Sequence, residues 1–485
     1  MTDASTHGGN ILAVDQGTSS TKALVVGPDG TVLATAQAPV QPLAVGDGGV
    51  EQDPAELFDS IVAAGRAALA QAGVEVIAIG FANQGETVMA WDRGSGAPLA
   101  PALSWQDRRS ATVCADLAPH ADRLADLTGL PLDPYFVGPK VVWLREHVTR
   151  DGVVTTTDSW LLHRLTGAFV TDVTTASRTA LMDLDERQWS AEACGLFGVD
   201  PGRLPEIVTC TTDIGTTDAF GPTLPVTGLA VDQQAALYGE GCLQAGDSKC
   251  TYGTGAFLLA NAGPTAKRST HGLSASVGWV DGESVAYCLD GQLYTVGSIV
   301  DWLIRLGLIA APADVDRIGA GVPDAGGVVC VPALAGLGAP YWAPDAKASL
   351  EGLTLGTTSA HIVRAAVDGI AGQVALLARA AAADLGGSIG TLRVDGGLTR
   401  SRLLMQTQAD LLQAPVEVFA SPHATALGVA QLARNGLEPG TAAHGTGGER
   451  YDPMISADEA QTRLAGMEAA IARVIATAAA GAAST

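Results

Sequence analysis

Short apolar runs and longer stretches with an apolar residue at every third or fourth position succeed one another along this chain. Ile11-Leu12-Ala13-Val14, Ala23-Leu24-Val25-Val26, residues 74–81, Phe257-Leu258-Leu259-Ala260 and Gly327-Val328-Val329-Cys330-Val331 predict buried strands, because each is brief and continuously apolar. A helical period runs over 55–72, where Leu57, Ile61, Ala64 and Ala68 share one face, over 359–383, and through the alanine-rich tail 457–480. Alternation of the two periods predicts an α/β layered fold. Residues 183–225 carry Pro201, Pro205, Pro222 and Pro225 and read as a loop-rich region ahead of a helix starting at Asp232.

One local pattern occurs twice. Asp15-Gln16-Gly17-Thr18-Ser19-Ser20 and Tyr252-Gly253-Thr254-Gly255 are glycine turns nearly half a chain apart, each joining two apolar runs. Duplication predicts two similar domains, residues 1–240 and 241–485, with a hinge near 238–247 and a cleft between them. Each turn offers backbone N–H groups and hydroxyls to phosphate oxygens, so two facing turns could hold a nucleotide triphosphate.

Composition narrows the partners. The 28 basic and 51 acidic residues give a formal charge of −23, which repels nucleic acid and anionic lipid and leaves small metabolites as the expected partners. The seven cysteines never approach C-x-x-C spacing and the eight histidines form no H-E-x-x-H, so neither a disulfide framework nor a zinc site is expected; the histidines read as surface or packing residues. Residues 1–7 show neither a basic start nor an apolar stretch, and no apolar run reads as long enough to span a bilayer; a cytoplasmic chain with no membrane partner is the expectation. The absence of G-x-x-x-x-G-K-[ST] argues against a P-loop enzyme, and the G-x-G pairs lack the third glycine of a dinucleotide fingerprint.

Further motifs accompany the two turns: Asn83-Gln84-Gly85-Glu86-Thr87, Trp105-Gln106-Asp107-Arg108-Arg109, Asp133-Pro134-Tyr135-Phe136 followed by Lys140 and Trp143, Ala176-Ser177-Arg178-Thr179, Asp232-Gln233-Gln234-Ala235, Asp395-Gly396-Gly397 and Ala424-Thr425-Ala426-Leu427-Gly428. This collinear series, over about 10–433, resembles the FGGY carbohydrate kinase family, most closely its glycerol-kinase branch. The resemblance implies a ribonuclease-H-like, actin-type ATPase domain in each half, flanking a catalytic cleft. It also implies ATP- and Mg²⁺-dependent phosphorylation of a polyol or sugar hydroxyl, with a homodimer or homotetramer left open.

An alcohol is a poor nucleophile at neutral pH, so transfer benefits from a carboxylate that accepts its proton. On sequence alone Asp232, at a helix start, reads as a plain N-cap; the resemblance makes it the catalytic base, with Gln233 on a substrate hydroxyl. Asp15, closing the first strand, suits Mg²⁺ directly or through water. Thr18, Ser19, Ser20 and Lys22 from the first turn and Thr254 and Gly255 from the second are implied phosphate contacts. Gly297, Gly396 and Gly397 are implied to let backbone approach the nucleotide, and Ser401 stands where glycerol kinases usually show Asn for an adenosine contact. Glu86, Trp105, Tyr135 and Phe257 match positions that handle the polyol, carboxylate and phenol orienting hydroxyls while aromatic faces cover C–H groups.

Gly85 departs from the branch, whose members carry an Arg there that bonds a glycerol hydroxyl. Losing one charge-assisted hydrogen bond costs roughly 1.5–3 kcal/mol. The expectation is therefore weak glycerol binding and room for a four- or five-carbon polyol. A ketose such as xylulose or erythrulose is the alternative acceptor. An actin-like ATPase switch is a distant alternative that has no need of Glu86, Trp105, Tyr135 and Asp232.

Overall fold

The two glycine turns fall at matching points of two mixed sheets in a computed structural model that describes residues 8–440 and 447–482. Residues 1–7, read above for a leader, lie outside the described residues. The elements that position the site are β1 (Asn10–Gln16), β2 (Ser20–Val26), β3 (Val32–Pro39), α1 (Pro54–Ala72), β4 (Val76–Asn83), β5 (Leu224–Val231), α2 (Asp232–Gly239), β6 (Ser248–Tyr252), β7 (Ala256–Gly263), β8 (Ser274–Asp281), β9 (Ser284–Leu293), α3 (Ser359–Leu385), β10 (Leu392–Asp395), β11 (Val416–Val418), α4 (Ala424–Leu437) and α5 (Ala457–Ala482).

The first sheet runs β3-β2-β1-β4-β5, with Thr216–Thr217 at its edge; the second runs β8-β9-β7-β6-β10-β11, with Arg450–Tyr451 at its edge. In the first, β1 pairs antiparallel with β2 and parallel with β4, which pairs parallel with β5. In the second, β6 pairs antiparallel with β7 and parallel with β10, which pairs parallel with β11. The repeated turn thus marks a repeated topology, two α/β domains of one design.

Strand alternation decides what each sheet face covers. Leu12 and Val14 of β1 pack with Leu57, Ile61, Ala64 and Ala68, the face expected of α1. That helix starts where the Asp53 side chain accepts the Ala55 N–H at 2.8 Å and stops at Gly73, which adopts φ 61°. Ile11 and Ala13, on the opposite face, pack with Val429, Ala430 and Ala433 of α4. A helix from the second half of the chain therefore lies on the first sheet. Glycines bring it close to the sheet and to α2: a β-carbon on Gly80 of β4 would sit 2.4 Å from the Val429 carbonyl oxygen, and one on Gly428 1.8 Å from that of Ala235 in α2. Arg434 fastens the far end of α4 by donating to the carbonyls of Gly9 (2.7 Å) and Val26 (3.0 Å).

Two expectations are refined. The loop-rich stretch 183–225 also holds a short helix at Ala191–Leu196 and a strand at Glu206–Val208, and β5 begins within it at Leu224; Pro225 is tolerated near the strand start, where it faces only the short Thr216–Thr217 edge. Helix α3 is long and apolar enough to cross a bilayer, but 78% of its most apolar window is buried inside the protein, as befits a core helix.

Candidate active site

The turn after β4, the start of α2 and the strand pair β7/β9 enclose a cavity of about 90 Å³. Its wall includes Gly85, Glu86, Trp105, Tyr135, Asp232, Gln233 and Phe257, the whole expected acceptor set. After β4 the chain turns so tightly that the Thr87 N–H reaches the Gly85 carbonyl at 2.7 Å. Glu86 consequently adopts φ 54°, a conformation costing a residue with a side chain about 1–3 kcal/mol. Two cations hold it there. Arg178 Nε donates to Glu86 Oε1 at 2.6 Å, and buried Lys140 donates from Nζ to the carbonyls of Glu86 (3.1 Å), Trp105 (3.4 Å) and Tyr135 (2.6 Å). One ammonium thus fixes the backbone of three wall residues. Trp105 packs edge-on against Tyr135 and Phe257, with ring centroids 5.8 and 5.9 Å away, and its Nε1–H donates to Thr18 Oγ1 at 2.8 Å. That bond ties the pocket to the first glycine turn.

A larger cleft of about 440 Å³ adjoins it. Asp15, Thr18, Ser19, Ser20 and Lys22 line it from the first hairpin, Thr254 and Gly255 from the second, and Asp395, Gly396 and Gly397 from the end of β10. Gly396 has φ 97°, and a β-carbon there would lie 2.4 Å from the Tyr252 carbonyl oxygen, so this close approach admits no side chain. Thr18, Trp105, Asp232, Gln233 and Phe257 border both cavities.

Two expected nucleotide contacts are not on this wall. Gly297 lies behind the second turn, its N–H directed at the carbonyls of Gly253 (3.0 Å) and Thr254 (2.9 Å). Ser401 caps the helix Arg402–Leu412 by accepting the Leu404 N–H at 3.1 Å, and its hydroxyl donates to Asp316.

Helix α2 begins at Asp232 itself, with Val231 in the cap position, so Asp232 is not an N-cap. Its Oδ1 accepts the Gln233 N–H at 2.7 Å. Part of the carboxyl is open to the cavities while protein encloses it farther out. That burial, with Asp15 and Glu86 nearby, pushes it up to about 7, against the pull of Lys249 and the Gln233 amide. Burial raises Asp15 to about 6, with Lys22 opposing and Asp395 adding. Lys249 Nζ donates to Gln233 Oε1 at 2.5 Å and to Thr251 Oγ1 at 2.8 Å. Because Lys249 lowers the proton affinity of Asp232, Lys249→Met should raise that carboxyl by about one unit in an NMR titration of the side chain; an unmoved midpoint would show that Lys249 does not tune this carboxyl.

Among the described residues no group of three or more His, Cys, Asp or Glu side chains forms a metal site of its own. Mg²⁺ that shares phosphate oxygens needs only one or two carboxylates. Asp15 and Asp395 both border the cleft, and Asp395 Oδ1 is buried with no hydrogen-bond partner, so these residues fit the ion.

The motifs contained Arg178 and Gln84 without disclosing roles, and Asp290, Gln292 and Lys249 went unread. Arg178 bridges Glu86 to Asp290 across separations of 92 and 112 positions, which no local pattern can pair. The available signal was the polar Asp290-Gly291-Gln292 break within an apolar strand. His423, read as surface or packing, borders the cleft with Nδ1 buried and unpartnered; burial and nearby Lys22 lower its pKa. At Gly85 the space beside the backbone is not empty, since a β-carbon would lie 2.9 Å from Val231 Cγ2.

Comparison with known proteins finds similarity along nearly the whole chain. The glycerol kinase of Alkalilimnicola ehrlichii is 42% identical, covering 96% of this chain and 98% of the relative, and that of Methylibium petroleiphilum is 43% identical, covering 96% and 99%. Among solved structures, Plasmodium falciparum glycerol kinase with ADP superimposes with a TM-score of 0.89 at 30% identity, over 96% of this chain and 98% of that one. Xylulose kinase from Rhodospirillum rubrum gives 0.85 at 26% identity, over 97% and 99%. The N-terminal domain of the FGGY family of carbohydrate kinases matches residues 10–239 and the C-terminal domain matches 248–435. With both domains matched over most of its length, this chain belongs to the FGGY family of carbohydrate kinases.

Proposed function

We propose that this kinase transfers the γ-phosphate of ATP to a terminal hydroxyl of a small polyol, with Asp232 as general base. The observation that carries the reading is the position of Asp232 on the shared wall of a small polar cavity and a larger cleft lined by two phosphate turns. Glu86, Tyr135 and Gln233 orient the acceptor beneath Trp105 and Phe257. Thr18, Ser19, Ser20 and Lys22 grip the triphosphate from one side, Thr254 and Gly255 from the other. The acceptor hydroxyl gives its proton to the Asp232 carboxylate while its oxygen bonds to phosphorus and ADP leaves. Asp15 and Asp395 would hold Mg²⁺, which would offset charge on the phosphates. The names of the relatives and the ADP in the Plasmodium structure support ATP and a small polyol.

We read the acceptor as a four- or five-carbon polyol rather than glycerol, because Gly85 supplies no guanidinium. Val231 takes up the space next to that backbone, so the change removes a contact more than it opens a channel. Coupled-assay kcat/KM over glycerol, erythritol, threitol, xylitol, xylulose and erythrulose tests this. Clear preference for glycerol overturns the longer acceptor, preference for a ketose selects the ketose reading, and ATP loss independent of any acceptor favours the ATPase switch. Gly85→Arg alone should impair every acceptor through collision with Val231, whereas Gly85→Arg with Val231→Gly should raise glycerol turnover relative to the longer polyols.

A further inference from the structure

Two residues of the acceptor-cavity wall each carry a polar atom with no protein partner. Gln84 and Gln292 both border the cavity and are each 1% exposed, and Gln84 Oε1 and Gln292 Nε2 are buried without a hydrogen bond. Such atoms are uncommon, because the water stripped from them must be replaced. The presentation of Gln84 is imposed by its neighbours. Gln52 Nε2 donates to the Thr18 carbonyl at 2.7 Å, which leaves Gln52 Oε1 to accept from Gln84 Nε2 at 2.9 Å. Gln84 is therefore turned so that its oxygen is the free acceptor. Gln292 stands two residues from Asp290 on β9, on the same strand face, and opposite Phe257 in register. The Tyr294 phenol is near it but outside hydrogen-bond geometry.

A hydroxyl both donates and accepts, so a hydroxylated chain can satisfy both amides. Asp232, Glu86, Tyr135 and Gln233 already provide at least one polar group for each hydroxyl of a three-carbon polyol. We propose that Gln84 and Gln292 form a subsite for a further hydroxyl, remote from the one phosphorylated, and thereby select acceptors of four or more carbons. This rests on the polyol-kinase reading above.

The test is kcat/KM of wild type and Gln292→Met on glycerol, erythritol, threitol, xylitol, xylulose and erythrulose, with KM for ATP alongside. The ratio of the best longer acceptor to glycerol should fall about tenfold in the variant, the loss expected for one hydrogen bond, with KM for ATP unchanged. Gln292→Ala should give the same result should methionine seat badly. A parallel loss on all acceptors, or an unchanged ratio, overturns the subsite while leaving the kinase reading intact. Wild-type preference for glycerol overturns the longer-acceptor reading and the subsite with it, before any variant is made.

Discussion

Asp232→Asn is expected to lower kcat about a thousandfold, within the range that a positioned general base contributes, while calorimetric affinity for ATP changes by less than about threefold. Asparagine keeps the oxygen that accepts the Gln233 N–H, so the start of α2 stays in place and only proton uptake is lost. As the proposed general base, Asp232 must be ionised in the active form. A folded-state pKa of about 7 means that kcat/KM rises with pH through neutrality and levels off above it. Turnover of the variant within tenfold of wild type, or a flat profile between pH 6 and 8, would remove Asp232 from the chemistry.

Arg178→Met should be the most damaging change to the acceptor pocket. Arg178 is paired with Glu86 and Asp290, all three being buried, and its removal leaves two carboxyls without the guanidinium that bridges them. Breaking a buried ion pair in this way costs about 3–5 kcal/mol. The loss should depend on pH. Without the guanidinium Asp290, whose folded-state pKa already lies above its unfolded one, loses the group that pulls it down, so the folded variant binds more protons and regains stability as pH falls. Asp290 already stands at about 6 with Arg178 present, held up by burial with Glu86 adding, while Arg178 pulls it down. Thermal unfolding at pH 8 and pH 5 should therefore show the gap to wild type narrowing in acid. Arg178→Lys should recover part of the stability, because a point charge cannot fork between two carboxylates as a guanidinium does. An equal deficit at both pH values would assign Arg178 to packing instead.

Much of this was legible in the sequence where the physics is local. The hairpin turns, α1, α3 and α5 follow from local pattern and periodicity, whereas the acceptor residues on the cavity wall were named only through the family resemblance that the motifs carry. The strand β5 was obscured by Pro225, whose usual meaning as a breaker does not apply at a strand start against a short edge. Arg178, Asp290 and Gln292 act through contacts between distant segments, and a buried charge looks like a surface charge until its partner is known. At Gly85 the neighbour that a β-carbon would meet, Val231, comes from another strand and could not be read from the local motif.

The placement of α4 against the first sheet sets the order in which the protein can mature. As the chain emerges from the ribosome, β1, β4 and β5 are made long before the helix that covers Ile11 and Ala13, and that helix ends only at Leu437. Until then one side of the sheet stays bare and sticky, awaiting a lid encoded near the other terminus. A fragment cut between the two lobes would be left with that wound permanently open.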